Sequence, residues 1–312
     1  MLAVAAGAIA FRLVSALVTS FVSRLIPRAT ADAAETTFGI APMISQFAAR
    51  WIGYGHATPS VVLAWVAFAA AMVMLVRLAQ LDVDGERADA AVLLAAVFPF
   101  AAIFGRSVAH ALFLAAAVAA FDNFRRQRWI VGGICGAVAT AAIPTGALIL
   151  PALGWIGLRD PSARRTWTVV VGLLVALGGC AAYLAYAYYL GGPPGGWITA
   201  AREWGFQTQQ APWVPLLRPF TSPFALEMMS GAVALIALAA VPLVWWRLNG
   251  GYAIYMLAML WLPLMSGSSV SLGQTCALLF PLFVLAAAIR SRVVILLIAV
   301  TSAMFYAIAI AL

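Results

Sequence analysis

The chain of 312 residues is 65% hydrophobic and only 9% charged, with a mean hydropathy of +1.03, whereas a soluble globular domain carries roughly 25% charged residues. Most of its surface must therefore meet lipid, which leaves little room for a soluble domain. The formal charge of +8 comes from 18 basic residues, every one of them arginine; positive loops on the cytoplasmic side account for that excess in so apolar a chain, and no nucleic-acid partner is expected.

A bilayer core of about 30 Å takes roughly 20 apolar residues per helix, so the fold expected is all-α and polytopic, with ten or eleven transmembrane spans in one domain covering residues 1–312. The first apolar window, residues 2–23, is as long as a full span and has no basic leader. It reads as an anchored first helix rather than a cleaved signal. A long loop follows at residues 24–58, where Ile44, Phe47, Ala48, Trp51 and Ile52 recur at helical spacing and suit an interfacial helix.

Further windows lie at residues 60–80, 89–105, 107–121, 129–143 and 145–158. Pro144 divides the last two, because proline removes an intrahelical hydrogen bond and ends or kinks a helix. The window at 167–190 precedes a second long loop, 191–225, rich in proline, tryptophan and phenylalanine, which suits a lid at headgroup level. Windows at 226–246, 251–266, 275–289 and 293–312 complete the chain.

Placing the N-terminus in the cytoplasm puts Arg77, Arg87, the run NFRRQRW at 123–129, the run LRDPSARRTW at 158–167, Arg247, Arg290 and Arg292 on the cytoplasmic side. That set holds eleven of the eighteen arginines. Arg24, Arg28, Arg50, Arg202 and Arg218 fall on the other side. The expected location is a bacterial inner membrane, with membrane lipids as partners. Cys135, Cys180 and Cys276 each lie in an apolar run without paired spacing, so neither a disulfide framework nor a metal site is expected.

From about residue 38 onward the chain resembles the PIG-V-like branch of the GT-C glycosyltransferases. The residues that carry the resemblance are FGIAPMISQFAARWI, VRLAQLDVDGERADAAVLLAAVFPFAAIFGRSVAHALFLAAAVAAF, RRQRWIVGGICGAVATAAIPTGALILPAL and SLGQTCALLFPLFVLAAA. They cover about two thirds of the chain in the family's order, and the succession of basic loop, glycine-rich helix and PTG turn is their strongest element. The resemblance implies a GT-C-like fold with an extracytoplasmic cavity. It also implies transfer of a hexose, by analogy mannose, from a polyprenyl-phosphate donor, with no cofactor.

The chain departs from that family's pattern at three places. The tryptophan-aspartate and tryptophan-tyrosine pairs of the first extracytoplasmic loop have no counterpart between Arg24 and Phe38; GRSVAHAL stands where a proline-tyrosine-serine-glutamate-serine signature is usual; and Ile143 occupies the position of an arginine before the PTG turn. These departures set a second expectation beside the transferase: a GT-C relative without catalysis, serving as a structural or lipid-binding subunit among other membrane-protein subunits.

An inverting transfer needs a carboxylate to accept the acceptor's proton and cations to hold the lipid phosphate. Asp32 and Glu35 are the acids of the first long loop and inherit the catalytic role by position, against the simpler alternative of a solvated loop or helix cap. Arg106 and His110, four residues apart, are expected to share one helix face near the extracytoplasmic boundary, where arginine's planar fork suits a phosphate; headgroup snorkelling is the alternative for Arg106, and a bond to a buried carbonyl for His110. Arg202 and Arg218 are further phosphate candidates, with Arg202–Glu203 alternatively a compensated surface pair. Glu227 is expected to meet the dipole of the helix it opens.

Asp82, Asp84, Glu86 and Asp89 spell an acidic cluster, expected as a solvated loop and helix start rather than a metal site. His56 lies alone in a glycine-rich loop. No Walker loop, zinc motif or Ser-His-Asp set is spelled. A transporter is disfavoured because the spans contain few polar residues and no inverted repeat of broken helices.

Overall fold

The computed structural model describes residues 57–159, 166–191, 211–266, 269–289 and 291–311. Every regular element among them is helical. In chain order these are α1 Ala57–Ala79, α2 Gly85–Ala96, α3 Ile103–Arg106, α4 Val108–Arg125, α5 Trp129–Ala142, a 3-10 segment Pro144–Ile149 and α6 Leu150–Arg159. The second half holds α7 Thr166–Gly191, α8 Val214–Thr221, α9 Ala225–Arg247, α10 Gly250–Ser266, α11 Ser269–Leu278, α12 Phe280–Ala287 and α13 Arg292–Ala311.

Four stretches are long and apolar enough to cross a membrane: Ser60–Ala79, Val108–Arg125, Trp167–Ala185 and Ala225–Arg247. Shorter apolar helices accompany them, among them Trp129–Ala142 and Gly250–Met265. Trp246 and Phe220 are each 78% exposed, and Val66, Leu174, Ile236 and Leu296 also face outward. Apolar side chains on the outside of an apolar bundle fit a lipid surround rather than water.

Proline sets several boundaries. Pro144 opens the 3-10 segment that separates α5 from α6, and Pro281 stands in the first turn of α12, so the window expected at 275–289 is two short helices, α11 and α12. The window expected at 89–105 also breaks. Pro99 follows α2, and the chain resumes only as the short α3.

The tightest packing joins α5 to α7. A Cβ added at Gly133 would strike the backbone of Gly172, and one at Gly179 would strike the carbonyl of Ala137 and the hydroxyl of Thr140. Small residues thus let the two backbones touch, as expected where lipid supplies no hydrophobic drive between helices. Thr140 Oγ1 adds a 2.7 Å hydrogen bond to the Ala176 carbonyl across the same seam. Next to it, α4 packs against both α1 and α5, and α9 against α10, α11 and α8.

A continuous apolar core runs through this assembly, with Phe121, Tyr252, Tyr255 and Phe280 stacked at its centre at ring separations of 5.1 to 5.7 Å. The terminal helix α13 is the exception, since it packs mainly against α2 and stays apart from α9.

Candidate lipid-binding groove and its polar ends

One end of the bundle gathers buried charge. Asp82, in the turn after α1, receives both arms of the Arg125 guanidinium at the end of α4, Nη2 to Oδ1 at 2.9 Å and Nη1 to Oδ2 at 3.2 Å. The Tyr252 hydroxyl at the start of α10 closes the set. It donates to Asp82 Oδ2 at 3.1 Å and accepts from Arg125 Nη1 at 3.0 Å. The side chains of Asp82 and Arg125 are only 6% and 18% exposed.

A turn earlier on α4, the fully buried Asp122 accepts from Arg126 Nε at 2.8 Å and lies 3.6 Å from Arg77 Nη2. Arg126 also donates to the Arg77 carbonyl at 3.1 Å. On the neighbouring elements Arg159 stacks on Trp155 at 4.0 Å, and Trp155 lies 5.2 Å from Trp245. Arginines from the loops expected to be cytoplasmic therefore meet at this one end. Arg218 lies beyond the opposite end of α9 from Arg247.

From this basic end an apolar groove of about 980 Å³ runs between α9, α12 and α13. Its lining on α9 extends from Met228 to Arg247, which at a rise of 1.5 Å per residue is about 28 Å, the thickness of a bilayer core. Phe98, Leu94 and Pro99 close its floor, and α13 forms the far wall from Val294 to Phe305. Among the described residues, Arg247 is the only charged residue in the lining, and the polar side chains besides are Thr301 and Ser302. The Thr301 hydroxyl is already committed to the Leu297 carbonyl at 2.6 Å.

At the other end of α9 sits a second polar set beside a shallower cleft of about 470 Å³. Arg218 Nη1, on α8, donates to Glu227 Oε1 at 2.9 Å, and the Ser222 hydroxyl donates to Glu227 Oε2 at 2.8 Å. Ser222 Oγ in turn accepts from the Phe224 amide at 3.1 Å. Glu227 does stand in the first turn of α9, but its carboxylate is turned toward α8, so capping alone does not describe it. It immediately precedes Met228, the first α9 residue of the groove lining.

Of the candidate residues, Asp32, Glu35 and Arg202 lie outside the described residues, as do His56 and Glu203. Arg218 is in place at the end opposite Arg247. Arg106 and His110 do not share a helix. Arg106 ends α3, and Ser107 between them is extended at φ −117° and ψ 112°, which breaks the four-residue spacing on which a common face depends. Ser107 caps α4 by accepting from the His110 amide at 3.4 Å, and its Oγ lies 2.8 Å from His110 Nδ1. The buried imidazole therefore has a serine hydroxyl as partner where a backbone carbonyl was the expected alternative.

The acidic cluster also differs from expectation. Asp82 is not solvated but buried in the Arg125–Tyr252 set, whereas Asp84 is exposed and lies 3.6 Å from Arg87. Among the described residues no three acidic, histidine or cysteine side chains converge as a metal site. Sequence inspection missed Asp122 and Tyr252. The i to i+4 spacing of Asp122 and Arg126, with the acid inside an apolar run, was the available signal for the first; nothing local marks the second.

Chemically, the arrangement offers a bilayer-length apolar slot with arginine near each end and no carboxylate along its lining. No family model matches the chain, and neither does any curated protein or solved structure.

Proposed function

We propose that the chain is a GT-C-like membrane glycosyltransferase that takes a sugar from a polyprenyl-phosphate donor, with the donor's chain in the α9–α13 groove and its phosphate toward the Arg218–Glu227 end. The observation that carries this is the groove, an apolar slot of about 980 Å³ that runs the length of α9. An apolar slot of this kind excludes polar groups and accepts hydrocarbon from the surrounding membrane. A long isoprenoid matches both its length and its lack of polar groups.

On this proposal the N-terminus is cytoplasmic, the chain crosses a bacterial inner membrane ten or eleven times, and the Arg218 end faces outward. Arg218, with Arg202, holds the lipid phosphate, and Asp32 or Glu35 accepts the proton of the acceptor hydroxyl. One observation favours a second function. Among the described residues no acid lines the groove, which favours, in place of the transferase, a catalytically inactive lipid-binding subunit of a larger membrane complex.

Native mass spectrometry of the gently extracted protein, followed by a transfer assay with a polyprenyl-phosphate-mannose donor, tests both. A bound donor with turnover lost in Asp32→Ala or Glu35→Ala supports the transferase. A bound lipid without turnover, in a fixed complex with other subunits, supports the second function. A chain that retains no polyprenyl lipid refutes the transferase, and one that retains no lipid at all refutes both.

A further inference from the structure

The groove lining runs along α9 for about the thickness of a bilayer core, and a donor headgroup on Arg218 would leave its Arg247 end open to a second lipid. We propose that an anionic glycerophospholipid from the leaflet at the basic end occupies the other half, with its phosphate on Arg247 and its acyl chains between α9 and α13. This does not depend on the donor assignment.

Four observations converge on this occupant. Among the described residues, Arg247 is the only charge in the groove lining, and it has no acidic partner within ion-pair distance. The side chains next to it, Leu243, Leu285, Ile289, Val294 and Leu297, are aliphatic and offer a chain contact without a hydrogen-bond partner. Trp245 and Trp246 flank Arg247 on α9, and Trp246 is 78% exposed, which suits a ring at headgroup depth. Finally, among the described residues α13 packs mainly against α2 and is held off α9 along the slot, which leaves a lipid-width opening between them.

Charge selects among the lipids that could fill it. The basic end collects Arg77, Arg125, Arg126 and Arg159 as well as Arg247, but Asp82 and Asp122 engage the first three of these and Trp155 the fourth. Among the described residues of the groove lining, Arg247 is the cation placed to meet the headgroup. A guanidinium donates two parallel bonds to one phosphate, and a net negative lipid adds an attraction that a zwitterionic one lacks.

The test is lipid retention by the full chain, reconstituted in mixed phosphatidylglycerol and phosphatidylcholine vesicles, re-extracted in mild detergent and analysed by mass spectrometry. The expected result is preferential retention of phosphatidylglycerol by the wild type. Arg247→Gln should lower that preference about fivefold, the equivalent of about 1 kcal/mol for one arginine at an anionic surface. Arg247→Lys should keep most of it, and Arg87→Gln, at an exposed arginine outside the groove lining, should leave it unchanged. Leu243→Trp, which fills the slot beside Arg247 without touching the charge, should reduce retention of both phospholipids and guards against a misfolded Arg247→Gln.

Equal retention of the two lipids by the wild type overturns the proposal. So does an equal loss in Arg247→Gln and Arg87→Gln, which would mark a general charge effect. Retained polyprenyl phosphate is read in the same spectra. Its absence with phosphatidylglycerol present refutes the donor assignment alone.

Discussion

Removing Asp82 tests whether the basic end is held by a true buried network. Asp82→Ala leaves the Arg125 guanidinium 18% exposed and deprives Tyr252 of its acceptor. Breaking one side of a buried pair costs about 3–5 kcal/mol, and partial access of Arg125 to the interface reduces this to about 2–3 kcal/mol. The network ties the turn after α1 to α4 and α10, so the cost should appear as global destabilisation.

Equilibrium unfolding of the purified protein in mixed micelles, with increasing SDS and tryptophan fluorescence as the signal, measures it. A double-mutant cycle with Arg125→Met isolates the pair. Hydrogen bonds between membrane helices average about 0.6 kcal/mol and reach about 1.7; this pair is bidentate, charge-assisted and shared with a tyrosine, so a coupling of about 2 kcal/mol is expected. Tyr252→Phe should cost about 1 kcal/mol. A coupling below about 0.5 kcal/mol would refute the reasoning and make Asp82 and Arg125 separate interfacial charges.

Asp122→Ala, which strips Arg126 and Arg77 of a fully buried acceptor, should destabilise by about 2–3 kcal/mol, whereas Asp84→Ala on the exposed turn should change stability by less than about 0.5 kcal/mol in the same titration. Gly133→Leu and Gly179→Leu should each cost at least about 1–3 kcal/mol by forcing α5 and α7 apart, read as a shifted unfolding midpoint; Thr140→Val, losing one interhelical bond, should cost about 0.6 kcal/mol. Arg218→Gln should change stability by less than about 1 kcal/mol, because its pair with Glu227 is partly exposed. It should nevertheless abolish retention of polyprenyl phosphate in native mass spectra.

Helix positions were legible where apolar length alone decides them. Residues 167–190 and 226–246 were expected, and α7 and α9 exceed them by at most a residue at each end. The window at 89–105 was not legible in the same way. Its hydropathy is continuous through Pro99, but backbone geometry is not, and α2 stops at Ala96. Ser107 shows the same limit at finer scale. A serine inside an apolar run is compatible with a helix interior, yet here it is an extended cap, and the Arg106–His110 face disappears with it.

The charged end divides similarly. The arginine loops predict that Arg77, Arg125 and Arg126 share a side of the membrane, because loop charge reports on sidedness. They do not predict which acids descend to meet them. Asp82 and Tyr252 are 170 residues apart in sequence, and their contact depends on how α10 is laid against α4 by the Phe121–Tyr252–Phe280 stack. A tertiary contact of that separation leaves no local pattern.

The two halves of the molecule differ in what holds them, and the difference bears on where a ligand enters. Around α4, its packing against α1 and α5, the backbone-close seam of α5 with α7 and two buried ion-pair sets fix the helices to one another. Around α13 there is neither a small-residue seam nor an ion pair among the described residues, and its outward side chains, Leu296, Val300 and Met304, are bare to the surroundings. Regions with few buried contacts open at low free-energy cost. Entry between α9 and α13 therefore disturbs no strong interaction, whereas entry at α5 or α7 would have to separate touching backbones. The groove lies at the seam that costs least to part, and its walls present almost only hydrocarbon to whatever enters.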